Sequence, residues 1–310
     1  MKILVTGGAG FVGSTLVPHL LRAGHQVTVL DTFAHGCLSL LGSCADPRLQ
    51  IVRGDARDEA TVAPLVRSAD AIVPLAAIVG APACDADKVG AETTNVGAIE
   101  LLARLASREQ MIVAPISNSG YGVGETDRAC TEDTPMRPVS HYGRTKVRAE
   151  EILLDHGGAI SLRLATVFGA SPRMRTDLLV NDFVLRAVRD RAMVIFEGHF
   201  RRCFLHVRDA ALAFSHALRS FESMRDRPYN VGLSDANLTK IQLCERIAEV
   251  VPDFTWVESP IGFDPDKRDY VVSNERIEAT GFRCRHSLRS GIEELRTCYQ
   301  MTRGHQHGNG

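Results

Sequence analysis

Short apolar runs recur along the first 235 residues, and stretches with apolar residues at helical spacing separate them. The runs lie at 2–6, 27–30, 50–53, 71–75, 111–116 and 159–164, and a returning strand is predicted at 229–232. Helices are predicted to start near residue 11 and to cover 59–67, 96–106 and 142–154. Strands that alternate with helices in this way predict an α/β fold with a doubly wound parallel sheet.

A glycine turn follows the first predicted strand. Gly7, Gly10 and Gly13 have the spacing G-x-x-G-x-x-G and precede an apolar helical stretch. The first glycine permits the sharp turn, the second lets backbone N–H groups, with those of Phe11 and Val12, approach a pyrophosphate, and the third lets helix and sheet pack closely. The helix N-terminus would direct its partial positive charge at the same group. The turn therefore predicts a dinucleotide site on a Rossmann-type sheet.

An acidic residue ends the second predicted strand. Asp31 stands 18 positions after Gly13, where a carboxylate can bind the hydroxyl groups of the adenosine ribose. Its charge would repel a 2′-phosphate, and the following Thr32, Phe33 and Ala34 supply no arginine to receive one. The sequence therefore favours NAD over NADP.

Composition narrows the class of protein. The 310 residues are 45% apolar, which is enough for a large core in one domain or two joined domains, and the net charge of −1 comes without a basic block. Nucleic acid and anionic membranes are therefore not indicated as partners. No apolar run reaches about 18 residues and no leader pattern opens the chain, so we expect a cytoplasmic protein. The eight cysteines are scattered without a C-x-x-C pair, so we expect reduced thiols and no metal site.

Later strand ends carry further candidates for the cofactor site. Asp55, followed by Ala56, lies just beyond the third predicted strand, where an adenine contact and a helix N-cap role, for it or for Asp58, are both open. The small residues of 75–77, Leu-Ala-Ala, would let a flat cofactor lie close to the backbone, and Asn95 opens the next predicted helix.

Tyr142 and Lys146 are spaced i, i+4 at the start of a strongly helical stretch, so their side chains share one helix face. A nearby ammonium, together with the positive charge of oxidised nicotinamide, would stabilise a phenolate and lower the tyrosine pKa. The pair therefore predicts proton chemistry.

Taken together, these motifs resemble the extended short-chain dehydrogenase/reductase family, specifically its NAD-dependent nucleotide-sugar epimerases and dehydratases. The motifs are TGGAGFVG at 6–13, Asp31, GDARD at 54–58, LAA at 75–77, Asn95, SNSGYG at 117–122 and YGRTK at 142–146. The resemblance implies Ser117, which stands 25 positions before Tyr142, as a catalytic residue together with Tyr142 and Lys146. It implies NAD contacts at Gly7, Gly10, Phe11, Val12, Gly13, Asp31, Asp55, Ala56, Leu75, Ala76, Ala77, Asn95, Tyr142 and Lys146.

The same resemblance implies a nucleotide-diphosphate sugar as substrate, held by Ser119, Asn181, Arg202 and Arg268. Asn181 and the two arginines would bind the diphosphate, since guanidinium geometry suits its oxygens. Two simpler interpretations stay open, namely Asn181 as a polar residue on a helix surface and Arg268 in a surface salt bridge. In the R-x-F-x-H-V-x-D segment at 202–209, Asp209 is expected to cap the following helix and His206 to pack.

The chain also departs from the family pattern. Where family dehydratases carry an Asp-Glu pair, it has Asn118 and Ser119, which cannot act as acid and base near neutral pH, so a 4,6-dehydratase is disfavoured. Pro74 and Thr166 stand where many members have histidine and asparagine. Cys84 would line the sugar pocket or pack as a small buried residue.

We therefore predict an NAD-dependent nucleotide-sugar epimerase that acts through a transient 4-keto sugar. A 4-dehydrogenase or ketoreductase with net redox change stays open, and a non-catalytic NAD-sensing protein represents another class on the same fold. The predicted NAD-binding domain comprises 1–170 plus about 203–235. A smaller α/β substrate-binding domain comprises 171–202 plus about 236–302, and a flexible tail follows at 303–310. From the resemblance we expect a homodimer.

Overall fold

The computed structural model describes residues 1–124, 128–261 and 268–302, so the tail expected at 303–310 lies outside the described residues. Its strands are β1 Lys2–Thr6, β2 Gln26–Asp31, β3 Leu49–Arg53, β4 Ala71–Pro74, β5 Met111–Ser117, β6 Ala159–Leu164, β7 Thr166–Phe168, β8 Ala192–Ile195, β9 Arg201–His206, β10 Arg227–Val231, β11 Asn237–Thr239 and β12 Thr255–Glu258. Its helices are α1 Gly13–Arg22, α2 Glu59–Ser68, α3 Ala81–Ala86, α4 Lys88–Glu92, α5 Ala98–Leu105, α6 His141–His156, α7 Leu179–Arg189, α8 Val207–Arg219, α9 Phe221–Met224, α10 Lys240–Ala248, α11 Glu275–Ala279 and α12 Leu288–Met301.

Seven parallel strands form the central sheet in the order β10-β6-β5-β4-β1-β2-β3. The order reverses between β1 and β4, as in a doubly wound sheet. The predicted α/β class and the parallel sheet are therefore confirmed, and β1 and β6 have the predicted bounds.

Two apolar layers cover the central sheet because neighbouring residues of each strand point to opposite faces. In β1, Ile3 and Val5 belong to the core that includes residues of α1 and α8, whereas Leu4 belongs to the core that includes residues of α2, α5 and α6. The helix that carries Tyr142 and Lys146 is α6, so these two candidate catalytic residues lie on the second of these faces.

A second core lies beyond the central sheet. Residues of α7, α10 and α12 form its apolar cluster with Phe168 and Phe204. The three-stranded sheet β11-β9-β7 and the two-stranded sheet β12-β8 accompany it. Most of β9 lies in the predicted NAD-binding domain; it pairs with β7 and β11 and contributes Cys203 and Leu205 to the core that includes residues of α1 and α8. The chain then continues into α8 and into β10 of the central sheet, and the division into two domains stays a prediction.

Two helix starts differ from expectation. The first helix begins at Gly13 rather than near Phe11. At α8 the cap is His206, whose side chain accepts from the Arg208 N–H, so the expected cap at Asp209 is wrong. The Asp209 carboxylate is buried and accepts instead from the main-chain N–H groups of Arg285 and His286, at 3.0 and 2.9 Å. It therefore joins α8 to the segment before α12.

Among the described residues, no helix is both long and apolar enough to cross a bilayer.

A buried ion pair joins the central sheet to α6. Arg163 of β6 donates to both carboxylate oxygens of Glu150 at 2.7–3.1 Å. Its remaining nitrogen donates to the Tyr121 hydroxyl at 2.9 Å and to the Glu132 carbonyl at 3.0 Å. The Tyr121 hydroxyl then donates to Asn230 at 2.7 Å. Every charge in this network has a partner, which a buried charge requires.

We expect Glu150→Gln to lower the free energy of unfolding by about 3–5 kcal/mol, because it leaves the Arg163 charge buried without its counter-ion. Urea denaturation followed by circular dichroism measures this loss. Glu151→Gln, which removes the exposed partner of Arg148, is the control and should cost no more than about 0.5 kcal/mol. Equal losses in the two variants would contradict the importance of the buried pair.

Candidate active site

The carboxyl ends of the parallel strands lie at one edge of the central sheet, where ligands bind in sheets of this type. The glycine turn after β1, Asp31 at the end of β2, the 75–77 segment after β4 and Ser117 at the end of β5 all occupy this edge. The fold therefore brings together residues that the sequence separates by more than 100 positions.

The glycine turn has no room for side chains. A Cβ on Gly7 would lie 2.6 Å from the Ala76 nitrogen and 2.8 Å from the Leu75 carbonyl carbon, and Gly7 has φ +69°. A Cβ on Gly13 would lie 2.6 Å from the Gly7 carbonyl oxygen. The bare backbone turn that results fits the close approach of a pyrophosphate at the start of α1.

Asp31 is bonded to the same turn. One carboxylate oxygen accepts from the Ala9 N–H at 2.9 Å and the other from the Phe33 N–H at 2.8 Å. A carboxylate has about four acceptor sites, so acceptor capacity remains for the two hydroxyl groups of a ribose. This half-buried carboxylate therefore fits the adenosine end of NAD.

Asp55 and Asp58 take different roles at the start of α2. Asp58 is the cap, because its side chain accepts from the Ala60 N–H at 3.2 Å. Asp55 pairs with Arg57, and the hydrogen bond from that guanidinium holds the pKa of Asp55 below its ordinary value. Ala56 packs against the apolar core on the α2 side of the sheet. The adenine contact assigned to Asp55 stays a prediction.

Asn95 joins the loop after β4 to α6 beneath the candidate site. It lies in a π-helical turn, Thr93–Gly97, that turns its side chain inward. Its amide accepts from Ile78 N–H at 2.8 Å and donates to the Ile78 carbonyl at 2.9 Å and to Thr145 at 3.1 Å. Asn95 therefore holds the loop after β4 against α6. The direct cofactor contact stays a prediction.

The candidate catalytic hydroxyl groups come from β5 and α6. Ser117 is the last residue of β5, and its hydroxyl accepts from the Ser119 N–H at 3.1 Å. Tyr142 lies in the first turn of α6, which Ser140 caps by accepting from Gly143 at 3.0 Å. The Ser117 hydroxyl lies close enough to Tyr142 to act on the pKa of the Tyr142 hydroxyl. The two hydroxyl groups can therefore contact one substrate oxygen.

Burial shifts the pKa of both ionisable candidates away from their charged forms. Desolvation raises the pKa of Tyr142, although the charges of Arg268 and Arg175 and the Ser117 hydroxyl act to lower it. Desolvation also lowers the pKa of Lys146 to about 8, and its ammonium donates to the Pro115 carbonyl at 3.0 Å. In the protein without NAD, burial therefore outweighs the nearby positive charges. The lowered tyrosine pKa expected with oxidised nicotinamide bound stays a prediction.

The two arginines predicted for the diphosphate lie in one region. Arg202 of β9 is buried, and its guanidinium donates to the Arg201 carbonyl at 2.9 Å. The pKa of Asp269 is lowered, because hydrogen bonds from Arg201 and the charges of Arg201 and Arg202 outweigh its burial. Asp269 directly follows Arg268, whose charge acts on Tyr142. Positive charge therefore collects beside the candidate catalytic tyrosine.

Asn181 does not face this region as a free side chain. It is fully buried in α7, where its oxygen accepts from Gly169 N–H at 3.0 Å and its nitrogen donates to the Arg175 carbonyl at 2.8 Å. Neither predicted role fits, since Asn181 is not at the surface and its amide is engaged by the backbone. It joins α7 to the 169–175 loop.

That loop carries a residue whose role the sequence did not reveal. The Arg175 guanidinium pairs with Asp177, and it lies 3.9 Å from the position of a Cβ on Gly80. Its charge acts on Tyr142. A weak signal existed in the two arginines of the Pro-Arg-Met-Arg stretch at 172–175.

Cys84 of α3 is buried, and its thiol donates to the Ile78 carbonyl at 3.2 Å.

This arrangement defines a dinucleotide-binding enzyme of the α/β class, with a serine and a tyrosine hydroxyl at the carboxyl edge of its sheet. A family model described as "NAD dependent epimerase/dehydratase family" matches residues 3–232. The chain belongs to this family, whose members use NAD as cofactor and include nucleotide-sugar epimerases, dehydratases and decarboxylases of the extended short-chain dehydrogenase/reductase type.

Three relatives show how far the similarity extends. The low-salt glycan biosynthesis protein Agl12 of Haloferax volcanii is 30% identical over 94% of this chain and 96% of its own. A dTDP-glucose 4,6-dehydratase of Streptomyces niveus is 31% identical over 80% of this chain and 76% of its own. The structure of Thermus thermophilus UDP-glucose 4-epimerase in complex with NAD has a TM-score of 0.82 at 25% identity, covering 99% of this chain and all of that one.

We expect Gly13→Ala to weaken NAD binding at least 10-fold, because its Cβ would lie 2.6 Å from backbone atoms of Gly7 and Gly8 and would open the turn. Isothermal titration with NAD measures the change. Gly42→Ala is the control, since a Cβ there meets nothing within 4 Å. Unchanged affinity in Gly13→Ala would contradict the placement of the pyrophosphate at this turn.

We expect Lys146→Met to stabilise the protein at pH 7. The pKa of Lys146 is about 8 in the folded chain. In an unfolded chain the pKa of a lysine is about 10.4. Burying the ammonium below pH 8 therefore costs about 3 kcal/mol of folding free energy. Its hydrogen bond offsets about 1 kcal/mol of this cost. At this group the unfolded state binds more protons between these values, so the contribution of Lys146 to stability rises with pH from about 8 towards 10. The thiols of Cys203, Cys244 and Cys284, whose pKa values burial raises to about 12, act in the opposite direction, so the Lys146 contribution is measured as the difference between wild type and Lys146→Met.

Urea denaturation at pH 7 and pH 9.5 tests the predicted direction of this change in the free energy of unfolding. The stability advantage of Lys146→Met over wild type should shrink from pH 7 to pH 9.5, whereas the difference between Lys88→Met, at an exposed lysine, and wild type should stay constant. An advantage of Lys146→Met that is equal at both pH values would show that the Lys146 pKa is not depressed.

Proposed function

We propose that the protein is an NAD-dependent nucleotide-sugar epimerase that acts at C4 of the sugar through a transient ketone. The juxtaposition of Ser117 and Tyr142, next to the non-acidic Asn118 and Ser119, carries this proposal. The pair suits removal of a hydroxyl proton, whereas elimination of water needs an additional acid and base that these neighbours cannot supply.

Each residue has a distinct task in the proposed reaction. Tyr142, as phenolate, takes the proton of the sugar hydroxyl, and Ser117 donates a hydrogen bond to the same oxygen. Lys146 binds the nicotinamide ribose and adds positive charge near the phenolate. NAD, when bound, supplies the hydride acceptor and donor. The positive charges of Arg268 and Arg175 favour the phenolate as well.

The arginines also suit the proposed substrate. Arg202 and Arg268 stand near Asp269, and Arg175 stands near Tyr142. Guanidinium groups bind diphosphate oxygens with matched geometry, so a nucleotide diphosphate anchored there would extend its sugar towards Tyr142. The Thermus thermophilus relative is a UDP-glucose 4-epimerase, which makes UDP-glucose the first substrate to test.

A net oxidation or reduction is the second candidate, because the same residues carry out the first half of both reactions. The homodimer also remains a proposal, and analytical ultracentrifugation at micromolar concentration tests it.

We expect Tyr142→Phe to reduce turnover of UDP-glucose by at least about 100-fold while NAD affinity stays within about twofold, because only the proton acceptor is lost. Proton NMR follows UDP-galactose formation, and titration with NAD measures affinity. Tyr299→Phe is the control, since that buried hydroxyl has no hydrogen-bond partner among the described residues. Full activity in Tyr142→Phe would contradict its proposed role.

The same assay separates the two candidates. An epimerase produces no lasting NADH absorbance and incorporates no deuterium from the buffer, whereas a dehydrogenase accumulates NADH with every turnover.

A further inference from the structure

Three polar atoms next to Ser117 are buried without a hydrogen-bond partner. The side-chain nitrogen and oxygen of Asn118 are both unpaired, and so is the Ser119 hydroxyl. Asn118 is 1% exposed and Ser119 is fully buried. Proteins rarely leave buried polar groups unpaired, because each lost hydrogen bond lowers stability. A cluster of three on two consecutive residues therefore needs an explanation.

Three other buried asparagines are bonded at both ends of their amides. Asn95 and Asn181 use both ends, and so does Asn230, which bonds Tyr121 and two backbone carbonyls. Within residues 1–124, 128–261 and 268–302, the other unpaired buried atoms are single and scattered, at Ser161, Asn274, Arg296 and Tyr299. Asn118 is therefore the one buried amide among the described residues that is unpaired at both ends.

The unpaired atoms adjoin the proposed site of reaction. The turn Asn118–Tyr121 follows β5 directly, and its Ser119 N–H donates to the Ser117 hydroxyl at 3.1 Å. The Ser119 carbonyl lies 3.1 Å from the position of a Cβ on Gly143, the residue after Tyr142. Asn118 and Ser119 thus lie directly beside Ser117, and the Ser119 backbone packs against the first turn of α6, which carries Tyr142.

The chemistry of the two side chains limits what can satisfy them. An amide offers both a donor and an acceptor, and a serine hydroxyl offers the same. A sugar hydroxyl can pair with both ends, whereas a carboxylate cannot donate and a methylene can do neither. Consecutive residues are about 3.8 Å apart, so a side chain next to Ser117 can reach a substituent close to the oxidised carbon.

We propose that Asn118, assisted by Ser119, recognises a neutral hydroxyl group close to the carbon that is oxidised. The proposal rests on the proposed function and names its substrate class, namely nucleotide sugars that carry a hydroxyl group at this place. Asn118 thereby selects against deoxy sugars. Its unpaired amide lowers the stability of the free enzyme and is satisfied when the substrate binds.

The test compares binding with and without the amide. In the NAD-loaded Tyr142→Phe variant, which does not turn substrate over, calorimetry measures the affinity for UDP-glucose, 3-deoxy-UDP-glucose and 6-deoxy-UDP-glucose. We expect one deoxy compound to bind about 10–100-fold more weakly than UDP-glucose. Adding Asn118→Leu should weaken UDP-glucose by the same factor and abolish this preference, and Ser119→Ala should reduce it in part.

Stability provides a second, independent measurement. Asn118→Leu should raise the melting temperature by about 2–4 °C, because it removes an unpaired amide without changing its approximate size. Asn230→Leu is the matched control and should lower the melting temperature, since its amide is fully bonded. Ser161→Ala, at an unpaired hydroxyl on β6, should leave all three affinities unchanged.

Two results would overturn the inference, and they are distinguishable. If UDP-glucose binds but Asn118→Leu keeps the preference between the three compounds, or lowers the melting temperature, Asn118 is a structural residue and the proposed function stands. If neither UDP-glucose nor dTDP-glucose binds the NAD-loaded protein, the proposed function fails and this inference fails with it.

Discussion

The buried pair of Arg163 and Glu150 sets the geometry of the candidate active site. Tyr142, Lys146 and Glu150 follow one another at intervals of four on one face of α6, so an anchor at Glu150 holds the two functional side chains at a defined height along the helix. The same guanidinium bonds Tyr121, in the turn that follows Ser117. One cation therefore connects the strand end and the helix that supply the reacting groups.

Fully paired hydrogen bonds around Asn95 also hold the site in a single arrangement. The Asn95 amide holds the Ile78 backbone against Thr145, and the Thr145 hydroxyl donates to the Tyr142 carbonyl at 2.9 Å. The loop that faces the cofactor and the turn that carries the tyrosine are thus parts of one hydrogen-bonded unit. Buried networks of this kind stabilise a single arrangement only when every member is paired, as is the case here.

The residues that would contact the ligands have unpaired or unfavourably buried polar groups instead. Lys146 and Tyr142 lie where burial disfavours their charged forms, and the atoms of Asn118 and Ser119 are unpaired. The buried ammonium and the unpaired atoms cost stability in the free protein, and hydrogen bonds that ligands bring would relieve this cost. The Tyr142 hydroxyl is neutral near pH 7, so its raised pKa costs no stability there. The site therefore has two parts. The residues around Asn95 and Thr145, whose polar groups are all hydrogen-bonded, position the reacting groups. The residues around Asn118 and Ser119, whose polar atoms are unpaired, are left for recognition of a ligand.

Much of this was predictable from local patterns. The apolar runs determined the parallel sheet, the glycine spacing determined the turn before α1, and the interval of four put Tyr142 and Lys146 on one face, because each depends only on neighbouring residues and backbone geometry. The predicted cap of α2 at Asp58 follows from the same kind of local rule.

Only the tertiary structure decided what the buried polar side chains do. The amide of Asn95 bonds Thr145, 50 residues away, and the carboxylate of Asp209 bonds the backbone of Arg285 and His286, 76 and 77 residues away. The direction of the Tyr142 pKa shift depends on how deeply the folded chain buries this residue. A short motif specifies which donors and acceptors are present. Which of them find partners within the protein, and which remain for a ligand, is set by contacts between distant segments that no local pattern contains.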